Sequence, residues 1–199
     1  FHPRLVCIAC NTASTIALGM VRDVLEVPIV GTVPAIKPAA AMTRSGVIGL
    51  LGTEATIRQA YVDRLEQEFA AEKLLLRYGA PSLVEAAEAK LRGEPVDCAA
   101  ITDAAETLRA MPGGDRIDTV VLACTHFPLL DAELSRAFGP GVQFVHGAQG
   151  IARQIARLTA GQEWSRQAPD LALFTGLGDV PKAYGEMLTH YGLGRIERF

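Results

Sequence analysis

Short apolar runs alternate with longer amphipathic segments along almost the whole chain. The apolar runs predict buried strands at 4–9, 28–34, 47–51, 73–77, 118–123, 142–145 and 171–175. The amphipathic segments predict helices at 15–25, 39–43, 57–72, 82–92, 98–110, 129–138, 150–159 and 182–191, with a turn at 176–181. Alternation of this kind is typical of parallel crossover units. The sequence therefore predicts an α/β fold with mostly parallel sheets.

Polar turns follow several of the predicted strands. Each lies directly after a strand, and they are Cys10-Asn11-Thr12, Gly52-Thr53 with Thr56, Cys124-Thr125-His126 and His146-Gly147. In open α/β sheets, ligands bind outside the carboxyl ends of the strands. We therefore expect these turns to meet in one site.

Cys10 and Cys124 are presented in the same way, each at the end of a strand and just before a helix. The partial positive charge of a helix amino terminus favours a thiolate over a thiol. Two such cysteines could be a nucleophile and its resolving thiol, or an acid and a base on opposite faces of one carbon. Cys7 is expected in the core of its strand, and Cys98 is expected to be an inert helix residue.

Composition and charge restrict the classes of function. The 199 residues carry a net charge of -3 and have a pI near 5.8, which gives no support for nucleic-acid binding. No apolar run is long enough to span a bilayer and no signal-peptide pattern is present, so the expected location is the cytoplasm. The spacing of cysteines and histidines does not predict a metal site, and no phosphate-binding motif predicts a nucleotide cofactor.

The segments around Cys10 and Cys124 resemble the two signature motifs of the glutamate racemase family, part of the cofactor-independent aspartate/glutamate racemases. They are Ala9-Cys10-Asn11-Thr12-Ala13-Ser14 and Ala123-Cys124-Thr125-His126-Phe127-Pro128-Leu129-Leu130. Segments 28–38, 49–56, 83–90 and 174–179 also resemble the family. The resemblance implies two similar α/β domains with the active site in the cleft between them. These would be 1–33 plus 146–199, and 34–145, with a crossing at the proline-bounded segment 34–38.

The resemblance further implies interconversion of L- and D-glutamate without cofactor or metal, which supplies D-glutamate for peptidoglycan. Cys10 would handle the proton of D-glutamate and Cys124 that of L-glutamate, with His126 assisting Cys124. The substrate-binding residues implied are Asn11, Thr12, Thr53, Thr56, Thr125 and Glu85, with Glu88 as a competing assignment for the last.

Two departures from the family pattern affect this interpretation. The family carries an amino-terminal strand ending in Asp-Ser-Gly that nothing here matches, so we expect a fragment or a truncated relative. His146-Gly147 stands where the family usually has Asp-Ser-Gly.

The alternative functions are those of an aspartate- or hydantoin-type racemase of the same superfamily and of a truncated, non-catalytic binding or regulatory relative. The expected partners are glutamate and, in a homodimer, a second copy of the chain.

Overall fold

The computed structural model describes residues 2–165, 168–175 and 182–199. Within them the strands are β1 Val6–Ile8, β2 Ile29–Gly31, β3 Val47–Gly52, β4 Leu74–Gly79, β5 Thr119–Leu122, β6 Gln143–Val145, β7 Leu171–Phe174 and β8 Arg195–Arg198. The α-helices are α1 Asn11–Val24, α2 Ile36–Met42, α3 Glu54–Ile57, α4 Ala60–Phe69, α5 Pro81–Leu91, α6 Cys98–Ala110, α7 Asp131–Phe138, α8 Ala148–Leu158 and α9 Lys182–His190. Short 3₁₀ turns occur at Gly114–Arg116 and Phe127–Leu130.

A four-stranded sheet in the order β4-β3-β5-β6 forms the centre of the fold, and all its pairs are parallel. Every residue of β3 and β5 is buried, which is typical of parallel strands covered by helices on both faces. The N–H of Ala123 donates to the Leu51 carbonyl at 2.7 Å. The turns that begin at Thr53 and Cys124 therefore lie side by side at the carboxyl edge of this sheet.

Helices cover both faces of the central sheet. The consecutive β5 residues Val120 and Val121 point to opposite faces and lie in different apolar clusters. The first cluster includes residues of α5, α6 and α7, and the second includes residues of α2 and α4. The core on both faces therefore fixes the positions of β3 and β5, the strands that precede the Thr53 and Cys124 turns.

Two smaller sheets pair β1 with β2 and β7 with β8, again in parallel. Ser14 fixes α1 against the first of them. Its hydroxyl donates to the Ile8 carbonyl at 3.1 Å and accepts from the Thr32 N–H at 2.9 Å. The start of α1, which carries Cys10 and Thr12, is therefore held at the end of β1.

The prediction of an α/β fold with parallel sheets is confirmed, because every pair of strands described is parallel. The division into 1–33 plus 146–199 and 34–145 stays a prediction, and the predicted turn at 176–181 lies outside the described residues. In the ranges described, no helix combines the length and the apolar character needed to cross a membrane.

Some element predictions were wrong in detail. The single helix predicted at 57–72 is divided into α3 and α4, because Gln59 is extended (φ −75°, ψ 134°) at the start of α4. The helix predicted at 129–138 begins as a 3₁₀ turn at Phe127. Strand β8 was not predicted, because its sequence Arg195–Arg198 is mostly charged and all four residues are exposed.

The prediction that Cys7 is a core residue was also wrong, because Cys7 is exposed. It lies in β1, and among the described strands β2 alone pairs with β1. The apolar pattern correctly indicated a strand. It carried no information about which surfaces cover that strand.

Candidate active site

The turns that carry the two cysteines line one cavity of about 210 Å³. The walls lie at the carboxyl ends of β1, β3 and β5, where an open α/β sheet is expected to bind ligands. Most of the residues singled out from the sequence are among the lining residues: Cys10, Asn11, Thr12, Thr53, Cys124, Thr125 and His126.

Cys10 is the amino-terminal cap of α1. Its backbone is extended, and its Sγ accepts a hydrogen bond from the Ala13 N–H at 3.5 Å. The residue is exposed and lines the cavity, so a ligand there can reach the sulfur. The free N–H groups and partial positive charge of a helix start stabilise negative charge at this place. Cys10 is therefore presented to the cavity at the amino terminus of α1.

Cys124 lies two residues after the end of β5 and is 9% exposed. Its Sγ lies 3.7 Å from Nδ1 of His126, within hydrogen-bonding range for sulfur. The 3₁₀ turn that begins at Phe127 fixes this arrangement, because the Phe127 side chain is fully buried. The short Cys-Thr-His sequence thus turns the imidazole back onto the sulfur that precedes it.

The second ring nitrogen of His126, Nε2, lies 2.8 Å from Oε1 of Glu88. An ionised carboxylate can only accept hydrogen bonds, so Nε2 carries a proton and Nδ1 is left to face the sulfur. The hydrogen bond to Cys124, together with that to Glu88, raises the pKa of His126 to about 9 although burial opposes the change. At neutral pH the ring is therefore an imidazolium, and its Nδ1–H can donate a hydrogen bond to the Cys124 sulfur.

Glu88, and not Glu85, makes this contact. Both lie on α5, but Glu85 is exposed and lines neither cavity around the cysteines. The sequence indicated both residues and could not separate them, because the choice depends on how α5 packs against the turn at His126.

Three threonine hydroxyls form a closed hydrogen-bonded ring. Oγ1 of Thr12 lies 3.1 Å from Oγ1 of Thr53 and 2.7 Å from that of Thr56, and the last two lie 3.0 Å apart. Thr53 also caps α3 by accepting from the Thr56 N–H at 3.2 Å. Thr12 and Thr53 line the cavity, whereas Thr56 is fully buried and does not. A hydroxyl can redirect its proton to a new acceptor, so the ring could donate to a carboxylate through Thr12 and Thr53.

Asn11 is 5% exposed, and its Oδ1 has no hydrogen-bond partner among the described residues. Buried polar atoms are rarely left without a partner, so this acceptor is a candidate for an ammonium or N–H group of a ligand. Thr125 has a different contact: its hydroxyl donates to the Ala9 carbonyl at 3.3 Å. That bond ties the two cysteine turns to each other.

A second cavity, of about 350 Å³, also reaches Asn11 and Cys124. Cys7, His146 and residues of α8 line it. Nδ1 of His146 accepts a hydrogen bond from the Ala148 N–H at 3.4 Å at the start of α8. His146 thus lies next to the site without being among the residues that line the cavity of the two cysteines.

The remaining candidate ligating groups are scattered. Cys98 is exposed at the first position of α6 and lines a separate surface depression. Across the residues described, no three His, Cys, Asp or Glu side chains cluster in a way that could hold a metal ion. The expectation that neither metal nor cofactor takes part stays a prediction.

The fold and the cysteine turns match one family of enzymes. A family model described as Asp/Glu/Hydantoin racemase matches residues 2–155, which is most of the chain. The chain therefore belongs to the Asp/Glu/Hydantoin racemase family.

Within this family the similar proteins are glutamate racemases. The chain is 60% identical over 198 residues to the glutamate racemase of Sphingopyxis alaskensis, and the match covers 99% of this chain and 74% of the relative. The chain is 42% identical over 196 residues to the glutamate racemase of Pectobacterium carotovorum, and the match covers 98% of this chain and 68% of the relative. A similar solved structure is the crystal structure of Escherichia coli glutamate racemase in complex with L-glutamate and the activator UDP-MurNAc-ala. It superposes on this chain with a TM-score of 0.90 at 36% identity, and the superposition covers 98% of this chain and 74% of that chain.

Proposed function

We propose that this chain is a glutamate racemase that supplies D-glutamate for peptidoglycan synthesis. Cys10 and Cys124 act as acid and base on opposite faces of the α-carbon. The observation that carries the proposal is that both cysteines line one small cavity. The similarity to glutamate racemases over almost the entire chain supports the choice of substrate.

The chemistry is a proton exchange at one carbon. One thiolate removes the α-proton, and the electron pair of the broken C–H bond stays on the α-carbon as a carbanion. The thiol on the opposite face then gives its proton to that carbon, which inverts the stereocentre. The two sulfurs finish with exchanged protonation states and are restored by proton exchange with solvent. The step needs no oxidant or reductant, so atoms and electrons balance.

The two sulfurs would be activated in different ways. Cys124 has an imidazolium partner in His126, 3.7 Å from its sulfur, and His126 is in turn held by Glu88. Cys10 has the amino terminus of α1. We assign Cys124 to the proton of L-glutamate and Cys10 to that of D-glutamate.

Substrate would be held by polar groups at the same cavity. We propose that the ring of Thr12, Thr53 and Thr56 donates to a carboxylate and that Oδ1 of Asn11 accepts from the α-ammonium group. The unsatisfied Asn11 oxygen supports the second assignment. Thr125 would act at the cavity wall between the two cysteine turns.

Chiral chromatography of L- and D-glutamate incubated with purified protein tests the proposal. Cys10→Ser and Cys124→Ser are each expected to lower kcat by about a hundredfold or more, because each removes one acid/base group. Cys7→Ser and Cys98→Ser are the matched controls and should racemise at the unchanged rate. Full activity in either of the first two variants would overturn the two-cysteine proposal.

The same assay separates glutamate from the other substrates that the family description allows. L-aspartate should remain unconverted, and its conversion at a comparable rate would contradict the choice of glutamate. The homodimer and the cytoplasmic location remain predictions, and sedimentation velocity measures the first of them.

A further inference from the structure

The hydrogen-bond chain of the site continues beyond His126 and Glu88 to a residue that the sequence did not indicate. The hydroxyl of Tyr184, on α9, donates to Oε2 of Glu88, the carboxylate oxygen that His126 does not use. Nη1 of Arg92 donates to the Tyr184 hydroxyl oxygen at 3.2 Å. The series Arg92, Tyr184, Glu88, His126 and Cys124 is therefore connected from surface to cavity.

We propose that Tyr184 is a positioning residue that holds the Glu88 carboxylate against His126 and so keeps the imidazole protonated beside Cys124. This inference rests on the proposed racemase function, because it assigns a role at the same site. The residues it connects lie far apart in sequence, and the Tyr184 hydroxyl links α9 to the Glu88 carboxylate on α5.

The arrangement of donors around Glu88 explains why a hydroxyl is needed. Arg92 caps the carboxyl end of α5, one helical turn after Glu88, and its Nη1 is 3.7 Å from Oε2 of Glu88. The Tyr184 hydroxyl stands between them, because it accepts from Arg92 and donates to Glu88. Without it, Arg92 could pair directly with the carboxylate and draw it away from the imidazole.

The charges along the chain are consistent with this role. The hydrogen bond from Tyr184 is the largest cause of the lowered pKa of Glu88, burial opposes it, and His126 and Arg92 add to it. The same bond raises the pKa of Tyr184, so the proton stays on the phenol and the carboxylate stays ionised. His126 is in contact with Cys124 and Glu88. Glu88 is in contact with His126, Tyr184 and Arg92. Arg92 in turn pairs with Glu94 at 2.8 Å.

Tyr184 is not among the lining residues of either cavity that reaches the cysteines. It should therefore influence the proton transfer and not the binding of substrate. Its loss is expected to lower kcat and to leave KM unchanged, whereas a general loss of folded protein would lower the amount of active enzyme without altering the pKa of any group.

The test compares Tyr184→Phe with the matched control Tyr191→Phe. Tyr191 is 64% exposed, just after α9, and its ring contacts His190. The pKa of His126 is measured by NMR of protein with ¹⁵N-labelled histidine, and kcat and KM are measured for both enantiomers. Glu88→Gln and the double variant Glu88→Gln with Tyr184→Phe complete a double-mutant cycle.

In Tyr184→Phe we expect the pKa of His126 to fall from about 9 toward its ordinary value, and kcat to fall about threefold to tenfold. Tyr191→Phe should change neither. In the Glu88→Gln background, loss of the Tyr184 hydroxyl should have no further effect. If Tyr184→Phe leaves the pKa of His126 and kcat unchanged while Glu88→Gln lowers both, Tyr184 has no positioning role and the racemase proposal stands. If the unchanged protein does not racemise glutamate, that proposal fails, and the NMR titration still decides the role of Tyr184.

Discussion

The hydroxyl of Thr12 lies 2.7 Å from the hydroxyl of Thr56, although Thr12 is in α1, which follows β1, and Thr56 is in α3, which follows β3 of the central sheet. Thr53 closes the ring at 3.1 Å and 3.0 Å. This contact joins the start of α1, with Cys10, to the turn after β3. The cavity between the cysteines is therefore bounded by groups that can donate to an anion and that already hold one another in place.

Thr12→Val should impair substrate binding. It removes one hydroxyl of the ring and keeps the side-chain volume, and a hydrogen bond to a charged group contributes about 1.5–3 kcal/mol. KM for both enantiomers of glutamate should rise about tenfold or more. Steady-state kinetics measure the change. Thr102→Val, which removes an exposed hydroxyl on α6 that bonds the Cys98 carbonyl, is the control and should leave KM unaltered. An unchanged KM in Thr12→Val would remove the ring from the substrate site.

His126→Asn should reduce the rate. The variant removes the imidazolium beside Cys124, and general acid–base groups contribute about a hundredfold or more. We expect kcat to fall by that order while the protein remains folded, as circular dichroism will check. His190→Asn, at an exposed position at the end of α9, should behave like the unchanged protein. Equal losses in the two variants would mean that His126 has no particular role.

The raised pKa of His126 also links stability to pH. The folded-state pKa is about 9 and the ordinary value is 6.5. The contribution to stability is therefore fully present below about pH 6.5 and is lost as the pH rises through about 9. Urea denaturation of the unchanged protein and His126→Asn should give a difference that shrinks over this window. A difference that is constant from about pH 6 to about pH 10 would contradict the pairing of His126 with Glu88 and Cys124.

Some of this site could be predicted from the sequence, and the reasons differ from residue to residue. Cys10 and Cys124 were indicated because each follows an apolar run and precedes a helix, so local pattern alone brings them to strand ends. Glu88 and Glu85 could not be separated, since local pattern does not give the packing of α5. Tyr184 carried no signal, because it reaches Glu88 from a helix near the other end of the chain.

A structural prediction concerns Asp118, which precedes β5. It accepts from the Thr43 hydroxyl at 2.6 Å, the Arg44 N–H at 2.8 Å and the Ser45 N–H at 2.7 Å. Burial raises the pKa of Asp118, but the hydrogen bonds from Thr43, Ser45 and Arg44 outweigh it and lower the pKa to about 2. Its stabilisation should be present above the ordinary value of 3.8 and lost as the pH falls through about 2.

Asp118→Ala should therefore destabilise the fold by about 2–3 kcal/mol near neutral pH, because it leaves two N–H groups and the hydroxyls of Thr43 and Thr119 without this acceptor. Asp115→Ala, at an exposed carboxylate three residues earlier, should stay within about 0.5 kcal/mol of the unchanged protein. Urea denaturation gives both values. Similar stabilities for the two variants would show that the hydrogen bonds of Asp118 to the turn before β3 do not stabilise the fold.

Two thiols that act on opposite faces of one carbon should exchange the α-hydrogen of both enantiomers with solvent. L-glutamate and D-glutamate are incubated separately with the protein in D₂O, and the α-proton signal is followed by NMR. We expect the signal to disappear from both enantiomers and Cys10→Ser and Cys124→Ser each to prevent racemisation. If the signal persists in both enantiomers, the racemase proposal is contradicted. If it disappears from one enantiomer alone, the two-base mechanism is contradicted.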